Sequence, residues 1–547
     1  MEQNTIALTN NMTQNTSPLG CNSNRTHADN PLYVSTRSTY RCNSLEAVLK
    51  GIAPDGGLFI SPEILSRPFD WEGAIKLATL KTTSDTTTNS TQAITPTLLL
   101  ATSILSHLLP DFNNMPILVS KAYKDKFETQ DLTPLKQVGD KYVLELFRGP
   151  TSAFKDVALS MLPQLITAAK EQTGTNTETV ILTATSGDTG KAAMEGFKDV
   201  PGTRIIVFYP DGGVSPIQKI QMTTQEGSNV KVCAVRGNFD DCQSAVKQAF
   251  TYINTIDILQ RTHKELTSAN SINIGRLAPQ VVYYFKAYAD LVSLGRIKTG
   301  SAIDFVVPSG NFGDILAGYF AKLLGLPVRY LVCASNQNRV LTDFLSTGLY
   351  DRRRPFYHTS SPSMDILVSS NLERLLYLAC SSKPEFLGST ISRWMNELTS
   401  NGYCQVDPAT MANIRQTFRC GCCTEEETIQ TIRKTYSKYS YLCDPHTAVA
   451  LKVADEHIAS RSSTSDSVPV VVLSTASPYK FPAAVSQALS LPLKNDDFTQ
   501  IQAINSLTGV PIPTNLSSLK TKIIRHTDVI DKDQIIDYVL SSLNTGE

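Results

Sequence analysis

The stretch that decides the fold is TVILTATSGDTGKAAMEGFKDVPGTRIIVFYP, residues 179–210. It opens with the apolar, β-branched run TVILTA, which predicts a buried strand that ends at the glycine loop TSGDTG. KAAMEGFKD then has a helical pattern, and TRIIVFYP predicts a second strand. Strand, glycine loop, helix and strand in this order indicate a βαβ unit.

The same order recurs in residues 303–335. IDFVVPS predicts a strand, GNFGD a loop, ILAGYFAKLLGL a helix and VRYLVCAS the next strand. VPVVVLSTA, residues 468–476, predicts a further strand that ends in hydroxyl residues. Alternating strands and helices indicate α/β architecture with mostly parallel sheets. Because ligands bind at the carboxyl ends of such strands, we expect these three polar loops to lie at the functional site.

Composition excludes several classes of function. The 547 residues are 41% hydrophobic and 18% charged, which is typical of a globular chain of two to four domains. Lysines plus arginines number 50, as do aspartates plus glutamates, so nothing favours a nucleic-acid or acidic-membrane partner. No apolar run approaches the roughly 20 residues that span a bilayer. We therefore expect a cytoplasmic protein.

Two polar segments are expected to lie outside the ordered core. Residues 1–30 are rich in Asn, Thr and Ser and are predicted to form a disordered tail. The Ser/Thr-rich segment 82–95 predicts an exposed loop. The chain has 11 cysteines, an odd number, which favours reduced thiols. Because Cys420, Cys422 and Cys423 lack a second C-x-x-C pair, we expect no zinc or other metal.

Two glycine loops are candidate anion sites. SGNFGD, residues 309–314, follows a strand and opens a helix, where backbone N–H groups attract a phosphate. A tight turn without a ligand is the alternative on this motif alone. TSGDTGKAA departs from a P-loop at Thr185 and Ala192, and suits a carboxylate instead. Its alternative is simple helix capping by Ser186 or Asp188.

Lys155 is the candidate reactive amine. Apolar residues that follow it at helical spacing predict a helix with Lys155 in its first turn: Val157, Ala158, Met161, Leu162, Leu165 and Ile166. Pro163 predicts a kink or a restart of that helix. The positive end of the helix dipole disfavours a charged amine, which helps a lysine that must be neutral to form a Schiff base or accept a proton. A purely structural lysine is the alternative.

The remaining motifs are less specific. SANSINIGRLAPQ contains Arg276, which could hold a phosphate through two hydrogen bonds. His446 in CDPHTAVAL is expected to cap or pack a helix rather than to catalyse. Thr424 and Glu427 form a predicted capping box.

Taken in order, these segments resemble one family closely. They run from Tyr33 to Pro482 and comprise YVSTR, GIAPDGGLFI, LELFRGPTSAFKD, TATSGDTGKAA, FYPDGGVSPIQKIQM, NSINIGRLAPQ, VPSGNFGD, DPHTAVA and STASPYKFP. The ordered set is similar to threonine synthases, pyridoxal-phosphate enzymes of the tryptophan synthase β-like fold, also called fold type II.

The resemblance implies an architecture. Two α/β subdomains with parallel sheets would surround the cofactor, joined by a smaller N-terminal domain. The expected organisation is a tail over residues 1–30, an N-terminal domain over 31–135, a subdomain with the Schiff-base lysine over 136–300, a phosphate-binding subdomain over 301–490, and a C-terminal extension over 491–547.

The resemblance also implies residue roles. Lys155 would form the Schiff base with pyridoxal 5'-phosphate and act as the acid and base. Thr475 would face the pyridine nitrogen. The cofactor phosphate would contact Gly310, Asn311, Phe312, Gly313 and Asp314. The substrate carboxylate would bind at Ser186, Gly187, Asp188, Thr189 and Gly190. The substrate phosphate would bind at Asn270, Ser271, Asn273 and Arg276.

The implied reaction converts O-phospho-L-homoserine and water to L-threonine and phosphate, in a monomer or homodimer. A related phospholyase or dehydratase and an inactive metabolite-binding homologue are the alternatives. The family usually has His at Arg148, Gly at Ser38 and an acidic residue at Lys219. Arg148 is seven residues from Lys155, where it could alter substrate choice.

Overall fold

A computed structural model describes residues 32–80, 95–237, 239–461, 467–494 and 496–544. The predicted tail lies outside these residues. So does the predicted Ser/Thr-rich loop, apart from Thr95, which accepts a hydrogen bond from the N–H of Leu98 and caps a helix. No helix of the described ranges is long and apolar enough to cross a membrane.

The strands are β1 Tyr33–Ser35, β2 Arg41–Cys42, β3 Phe59–Ile60, β4 Leu135–Val138, β5 Lys141–Glu145, β6 Glu178–Ala184, β7 Thr203–Pro210, β8 Val230–Arg236, β9 Lys264–Thr267, β10 Ile303–Pro308, β11 Val328–Ser335, β12 Leu349–Asp351, β13 Tyr403–Gln405, β14 Phe418–Cys422, β15 Val470–Ser474 and β16 Asp528–Asp531.

The α-helices are α1 Ser44–Lys50, α2 Pro62–Ser66, α3 Trp71–Ala78, α4 Pro96–Leu108, α5 Met115–Tyr123, α6 Lys155–Thr173, α7 Asp188–Phe197, α8 Pro216–Thr223, α9 Phe239–Ile253, α10 Ile258–Arg261, α11 Ile274–Leu277, α12 Val281–Ser293, α13 Gly313–Leu323, α14 Val340–Thr347, α15 Leu372–Ala379, α16 Leu387–Asn401, α17 Pro408–Thr417, α18 Glu425–Tyr439, α19 Pro445–Ala459, α20 Pro482–Ala488, α21 Asp497–Thr508, α22 Thr514–Ser517 and α23 Ile535–Asn544.

A five-stranded sheet contains the βαβ unit with which the sequence analysis began. Its order is β16-β8-β7-β6-β9, and all its pairs are parallel. Strand β6, helix α7 and strand β7 confirm the predicted unit, although α7 begins three residues before the predicted KAAMEGFKD segment. The buried side chains of β6 and β7 pack on both faces, as expected for a parallel sheet covered by helices.

A six-stranded sheet contains the second predicted unit. Its order is β14-β11-β10-β15-β5-β4, in which every pair is parallel except β4 with β5. Strand β10, helix α13 and strand β11 match the second predicted unit, and β15 is the predicted strand of VPVVVLSTA. The carboxyl ends of β10 and β15 therefore lie side by side, as the functional argument requires.

Sheet pairing crosses the predicted domain boundaries at two places. Strand β5 precedes the five-stranded sheet in sequence but pairs with β15 of the six-stranded sheet. Strand β16 comes from the predicted C-terminal extension and pairs with β8. The boundaries themselves stay a prediction, but each of the two large sheets draws a strand from outside its predicted subdomain.

Helix α6 carries Lys155 and runs without a break through Pro163, so it does not restart there as the sequence suggested. A proline has no N–H for the carbonyl four residues earlier, here Leu159. Helix α7 approaches this point closely, since a Cβ on Gly196 would lie 2.0 Å from the Leu159 carbonyl oxygen. Burial between neighbouring elements outweighs the lost hydrogen bond and keeps one continuous helix.

The N-terminal segment forms a small antiparallel sheet, ordered β2-β1-β3, with helices α1 to α5. The predicted helix, turn and strand of residues 44–60 are α1 and β3. Arg374 of α15 ties this part to the rest: it is fully buried and donates to the carbonyl oxygens of Phe59 at 2.9 Å and Ile272 at 2.6 Å.

Candidate active site

The loops at the carboxyl ends of β6, β10 and β15 meet at one cavity of ≈ 630 Å³. Most of the predicted site residues line it: Lys155, Ser186, Thr189, Asn270, Ser271, Arg276, Gly310, Asn311, Phe312, Gly313, Asp314 and Thr475. Gly187, Asp188, Gly190 and Asn273 do not. The fold therefore brings together, in one cavity, predicted site residues that are more than 300 positions apart in the sequence.

The loop before Lys155 is fixed between β5 and β15. The N–H of Phe154 donates to the carbonyl of Thr475 at 2.8 Å, and the N–H of Ser477 donates to the carbonyl of Ser152 at 3.1 Å. Asp156 accepts from the N–H and hydroxyl of Thr151 at 2.9 and 2.5 Å. These bonds hold the start of α6 against the end of β15.

Lys155 is an almost fully buried amine, 8% exposed. Its Nζ lies 3.9 Å from Oδ2 of Asp188 and 4.4 Å from the ring centre of Phe154. Burial lowers the pKa of Lys155 to about 8, Asp188 opposes that shift, and Lys480 and Arg276 reinforce it. About a tenth of the amine is therefore neutral at pH 7, far more than for an ordinary lysine, and the neutral form is what a nucleophile or base requires.

Lys480 is a second buried lysine that sequence reasoning missed. It is fully buried, and its Nζ lies 2.5 Å from Oδ1 of Asp188, which also accepts from Gln218 at 2.8 Å. Burial opposes the ionised form of Asp188, but the charges of Lys480 and Lys155 outweigh it and hold the pKa of Asp188 well below its usual range. The side chain of Asp188 thus pairs with the two lysines.

The loop before α13 presents free backbone donors. Phe312 has a left-handed backbone with φ of 60°. Within the described part of the chain, the N–H groups of residues 310–314 donate to no protein acceptor, as the first turn of a helix allows. A Cβ on Gly310 would lie 2.7 Å from the carbonyl oxygen of Ser363, so this position must be glycine. Such a group of N–H donors suits a phosphate.

Asp314 lies in the first turn of α13 and is unusual. Its Oδ1 accepts from the hydroxyls of Tyr283 at 2.6 Å and Tyr284 at 2.9 Å. Its Oδ2 is buried and has no hydrogen-bond partner in the described residues. Burial raises the pKa of Asp314 to about 6, although both tyrosines and Lys155 favour the ionised form.

The loop before α7 offers a second set of donors. Oγ1 of Thr185 accepts from the N–H groups of Gly187 at 3.0 Å and Gly190 at 2.9 Å, so Thr185 rather than Ser186 or Asp188 organises the loop. In the described residues, the N–H groups of Ser186, Asp188 and Thr189 donate to no protein acceptor. A carboxylate at this helix start would find these donors.

Arg276 lines the cavity, whereas Asn273, which is close to it in sequence, does not. Arg276 donates to the carbonyl of Ala269 at 2.6 Å and keeps a buried Nε without a partner in the described residues. Burial lowers the pKa of Arg276 to about 10. Asn273 caps α11 by accepting from Gly275 and donates to the carbonyl of Val48 at 2.9 Å. Its substrate-binding role stays a prediction without support from its position.

Arg148 does not reach the cavity, which answers the question raised by this departure from the family pattern. Its guanidinium donates to Glu145 at 2.6 and 3.0 Å and to Glu128 at 3.2 Å, and it stacks on the ring of Phe147. Burial favours the neutral form, but the two glutamates outweigh it and raise the pKa of Arg148. The charge of Arg148 is therefore already paired with two carboxylates outside this cavity.

His446 lies deeper in the site than the sequence suggested. Asp444, not His446, caps α19, and it accepts from Nδ1 of His446 at 2.7 Å. Nε2 of His446 then accepts from the N–H of Ser363 at 3.2 Å. Ser363 packs against Gly310, so His446 supports the loop before α13 through Ser363, and both His446 and Ser363 also line the cavity.

The cysteine cluster lies on and just after β14, away from this cavity. The ten described cysteines are all free thiols. Across the described ranges, no group of three or more His, Cys, Asp or Glu side chains could hold a metal ion.

Comparison with known proteins shows which family the chain resembles in sequence and structure. Residues 130–475 match the family model described as pyridoxal-phosphate dependent enzyme, and residues 447–539 match the one described as threonine synthase, C-terminal. The threonine synthase of Saccharomyces cerevisiae is 38% identical over 485 residues, covering 84% of this chain and 89% of that protein. The chain belongs to the threonine synthase family.

Other members of the threonine synthase family are similar in sequence and structure. Threonine synthase-like 1 of Homo sapiens is 37% identical over 477 residues, which are 85% of this chain but only 61% of that longer protein. The crystal structure of pyridoxal-phosphate-bound threonine synthase from Brucella melitensis superposes with a TM-score of 0.78 at 35% identity. It covers 94% of this chain and all of that chain. Fold type II and pyridoxal phosphate as the family cofactor are confirmed.

Proposed function

We propose that this protein is a threonine synthase, which converts O-phospho-L-homoserine and water to L-threonine and phosphate. One observation carries the proposal: a buried lysine with a lowered pKa lies in the same cavity as two helix N-termini with free N–H donors. One set of N–H donors would bind the phosphate of the cofactor. The other set would bind the carboxylate of the substrate, whose own phosphate needs a further group of donors.

The residues fit pyridoxal phosphate. The free N–H groups of residues 310–314 suit its phosphate, Lys155 suits its aldehyde, and the hydroxyl of Thr475 would face its ring nitrogen. Gly310 leaves room because a side chain there would collide with Ser363. When bound, the cofactor supplies an electron sink that stabilises negative charge on the substrate carbons.

Lys155 is the proton-transfer group of this proposal. Its neutral amine can accept a proton from a substrate carbon and return it to a neighbouring carbon later in the cycle. The lowered pKa matches this task near neutral pH. Asp188 stays ionised because it pairs with Lys480. It orients the amine of Lys155 from 3.9 Å, without forming a short ion pair with Lys155.

The cavity has a charge that suits a phosphorylated substrate. Leaving Lys155 aside, its cationic lining residues outnumber its acidic ones: Arg37, Lys247, Arg276 and Arg352 against Asp314, Asp365 and Glu373. We assign the substrate carboxylate to the donors of residues 186–190 and its phosphate to Arg276 with Asn270 and Ser271. The position of Arg276 in the cavity lining supports this assignment. A cytoplasmic monomer or homodimer stays part of the proposal.

Product analysis with O-phospho-L-homoserine tests the proposal. We expect phosphate and threonine in equal amounts from the wild type, none from Lys155→Ala, and an absorbance band at roughly 410–420 nm only where Lys155 is present. Lys219→Ala is the matched control, since this lysine is half-exposed, pairs with Asp211 and does not line the cavity. A 2-oxo acid in place of threonine would instead indicate a related phospholyase or dehydratase. No phosphate release by the wild type would refute the assignment.

A further inference from the structure

The loop of residues 149–154 leads directly into α6, whose first residue is Lys155. Within this loop, Ser152 is fully buried and has a left-handed backbone with φ of 58°. Residues other than glycine rarely adopt this conformation, and they keep it only where neighbouring groups hold them in it. The loop therefore needs partners outside its own segment to keep one shape.

The second half of the loop is held from several sides. The carbonyl of Thr151 accepts from Nζ of Lys480 at 3.2 Å and from Nε2 of Gln221 at 3.3 Å. The carbonyl of Ser152 accepts from the N–H of Ser477 at 3.1 Å. These bonds fix the end of the loop next to α6, but they do not fix its first two residues.

Asn515 holds the first half of the loop from the C-terminal part of the chain. Its amide donates to the carbonyls of Pro150 at 2.7 Å and Gly149 at 3.3 Å. Its Oδ1 accepts from the hydroxyl of Ser152 at 3.0 Å, at the residue with the left-handed backbone. Among the residues that the structure describes, no other group donates to the Pro150 carbonyl. Both donor positions and the acceptor of one side-chain amide thus serve this loop.

The packing of α22 explains why Asn515 reaches this loop. The next residue, Leu516, is buried together with Leu519 in a hydrophobic cluster that includes Tyr479. Tyr479 is the neighbour of Lys480, which bonds to the same loop. Residues of the C-terminal extension and the segment that follows β15 therefore form one support under the start of α6.

We propose that Asn515 is a positioning residue for Lys155: it holds the loop in the conformation that directs the amine into the cavity. Its part in the reaction rests on the proposed function, in which Lys155 captures the cofactor and transfers protons. Asn515 does not line the cavity, so it acts through the loop alone. It is also uncharged, so its removal leaves the charges around Lys155 in place. A reacting group displaced by about 1 Å can react about a hundredfold more slowly.

The test uses the whole chain freed of cofactor, as wild type and as two variants. Asn515→Ala removes all three hydrogen bonds to the loop. Asn505→Ala is the matched control, because this asparagine is also partly buried in the C-terminal extension but donates to the carbonyl of Val510 at 2.8 Å. The rate of pyridoxal phosphate capture is followed by absorbance. The dissociation constant of pyridoxine 5'-phosphate is measured separately, since this probe lacks the aldehyde and does not react with Lys155.

We expect Asn515→Ala to capture pyridoxal phosphate about tenfold to a hundredfold more slowly per folded molecule, with the pH profile of the wild type. The dissociation constant of the probe should change far less, because the N–H donors of residues 310–314 lie on a different loop. With O-phospho-L-homoserine, kcat should fall while KM stays close to its wild-type value. Asn505→Ala should behave as the wild type in all three measurements.

Equal capture rates in the wild type and Asn515→Ala, each corrected for the folded fraction, would overturn the proposal. An equal loss of capture and of probe binding would overturn it too, because it indicates a disturbed cavity rather than a displaced amine. If the wild type itself captures no pyridoxal phosphate, the proposed function fails, which is a different result from equal capture by both proteins.

A second variant keeps the proposal testable if Asn515→Ala does not fold. Asn515→Asp has nearly the same shape and keeps the acceptor for the hydroxyl of Ser152, but it cannot donate to the two carbonyls. It should slow capture while the probe still binds. Capture by Asn515→Asp at the wild-type rate would contradict the role of these two bonds and with it the proposal.

Discussion

Replacing Lys480 by glutamine is expected to change the chemistry of Lys155, although Lys480 does not line the cavity. The substitution removes one charge and keeps a hydrogen-bond donor near Oδ1 of Asp188. Two effects then act in the same direction. The repulsion between the two lysines is lost, and Asp188 becomes available to pair more closely with Lys155, which now lies 3.9 Å away. Both raise the pKa of Lys155.

The size of the shift follows from the geometry. The two amines lie near different oxygens of one carboxylate. For a separation on the order of 6 Å, the interaction of two unit charges is about 3 kcal/mol at an effective dielectric constant of about 20. This energy corresponds to about 2 pKa units. The pKa of Lys155 should therefore rise from about 8 towards 10.5, its ordinary value. Near neutral pH the neutral amine becomes about a hundredfold scarcer.

The assay is the rate at which cofactor-free protein captures pyridoxal phosphate, followed by absorbance from about pH 6 to about pH 10, since only the neutral amine attacks the aldehyde. Lys286→Gln is the matched control. It also removes a buried lysine, one that pairs with Asp290 and Asp131, but Lys286 is not among the charges that shift the pKa of Lys155. We expect a slower capture at neutral pH and a higher apparent pKa in Lys480→Gln alone.

The reasoning would be refuted by an unchanged apparent pKa. If capture by Lys480→Gln follows the same pH profile as the wild type while the protein remains folded, Lys480 does not influence Lys155 through Asp188. A lower rate with an unchanged profile would indicate only a displaced loop, and the same loss in Lys286→Gln would indicate a general effect on stability.

Three further outcomes are expected. Arg148→His should change kcat/KM for phosphate release by less than about threefold, because a partly exposed ion pair outside the cavity contributes little. The free energy of unfolding of cofactor-free wild type, measured by urea denaturation relative to Lys155→Met, should rise between pH 8 and 10.5, since the unfolded amine still holds its proton there and the folded one does not. The gain is at most about 3 kcal/mol. Gly310→Ala should weaken cofactor binding at least about tenfold in a fluorescence titration, because its Cβ would lie 2.7 Å from a backbone oxygen. Gly313→Ala is the control and should weaken binding less, because the atom nearest to its Cβ would be 3.4 Å away.

Local patterns predicted much of this fold. The strands β6, β7, β10, β11 and β15 are mainly apolar runs, which parallel sheets require, and the polar loops after β6, β10 and β15 mark their carboxyl ends. Because those ends lie at one edge of each sheet, the loops converge without any knowledge of tertiary contacts. Lys155 was predicted at the start of a helix and is the first residue of α6.

Contacts between segments that are distant in sequence could not be predicted from such local patterns. Lys480 and Asp188 are far apart in sequence, so nothing local indicates that they form the shortest ion pair of the site. Arg148 is the reverse case: it is near Lys155 in sequence, but Glu145 and Glu128 hold it outside the cavity. The restart predicted at Pro163 does not occur, because propensity is a weak guide inside a densely buried helix.

The pairing of strands that are distant in sequence, within each of the two large sheets, has a consequence for how the chain folds. Strand β5 of the six-stranded sheet finds its partner β15 more than 300 residues later, and β8 of the five-stranded sheet waits for β16 at a similar separation. Closing such long loops has an entropic cost before any contact compensates for it, and it slows folding. During synthesis neither sheet is complete until nearly the whole chain has left the ribosome. We therefore expect the two halves to unfold in one cooperative transition, and fragments that end before residue 528 to leave an edge of the five-stranded sheet open to aggregation.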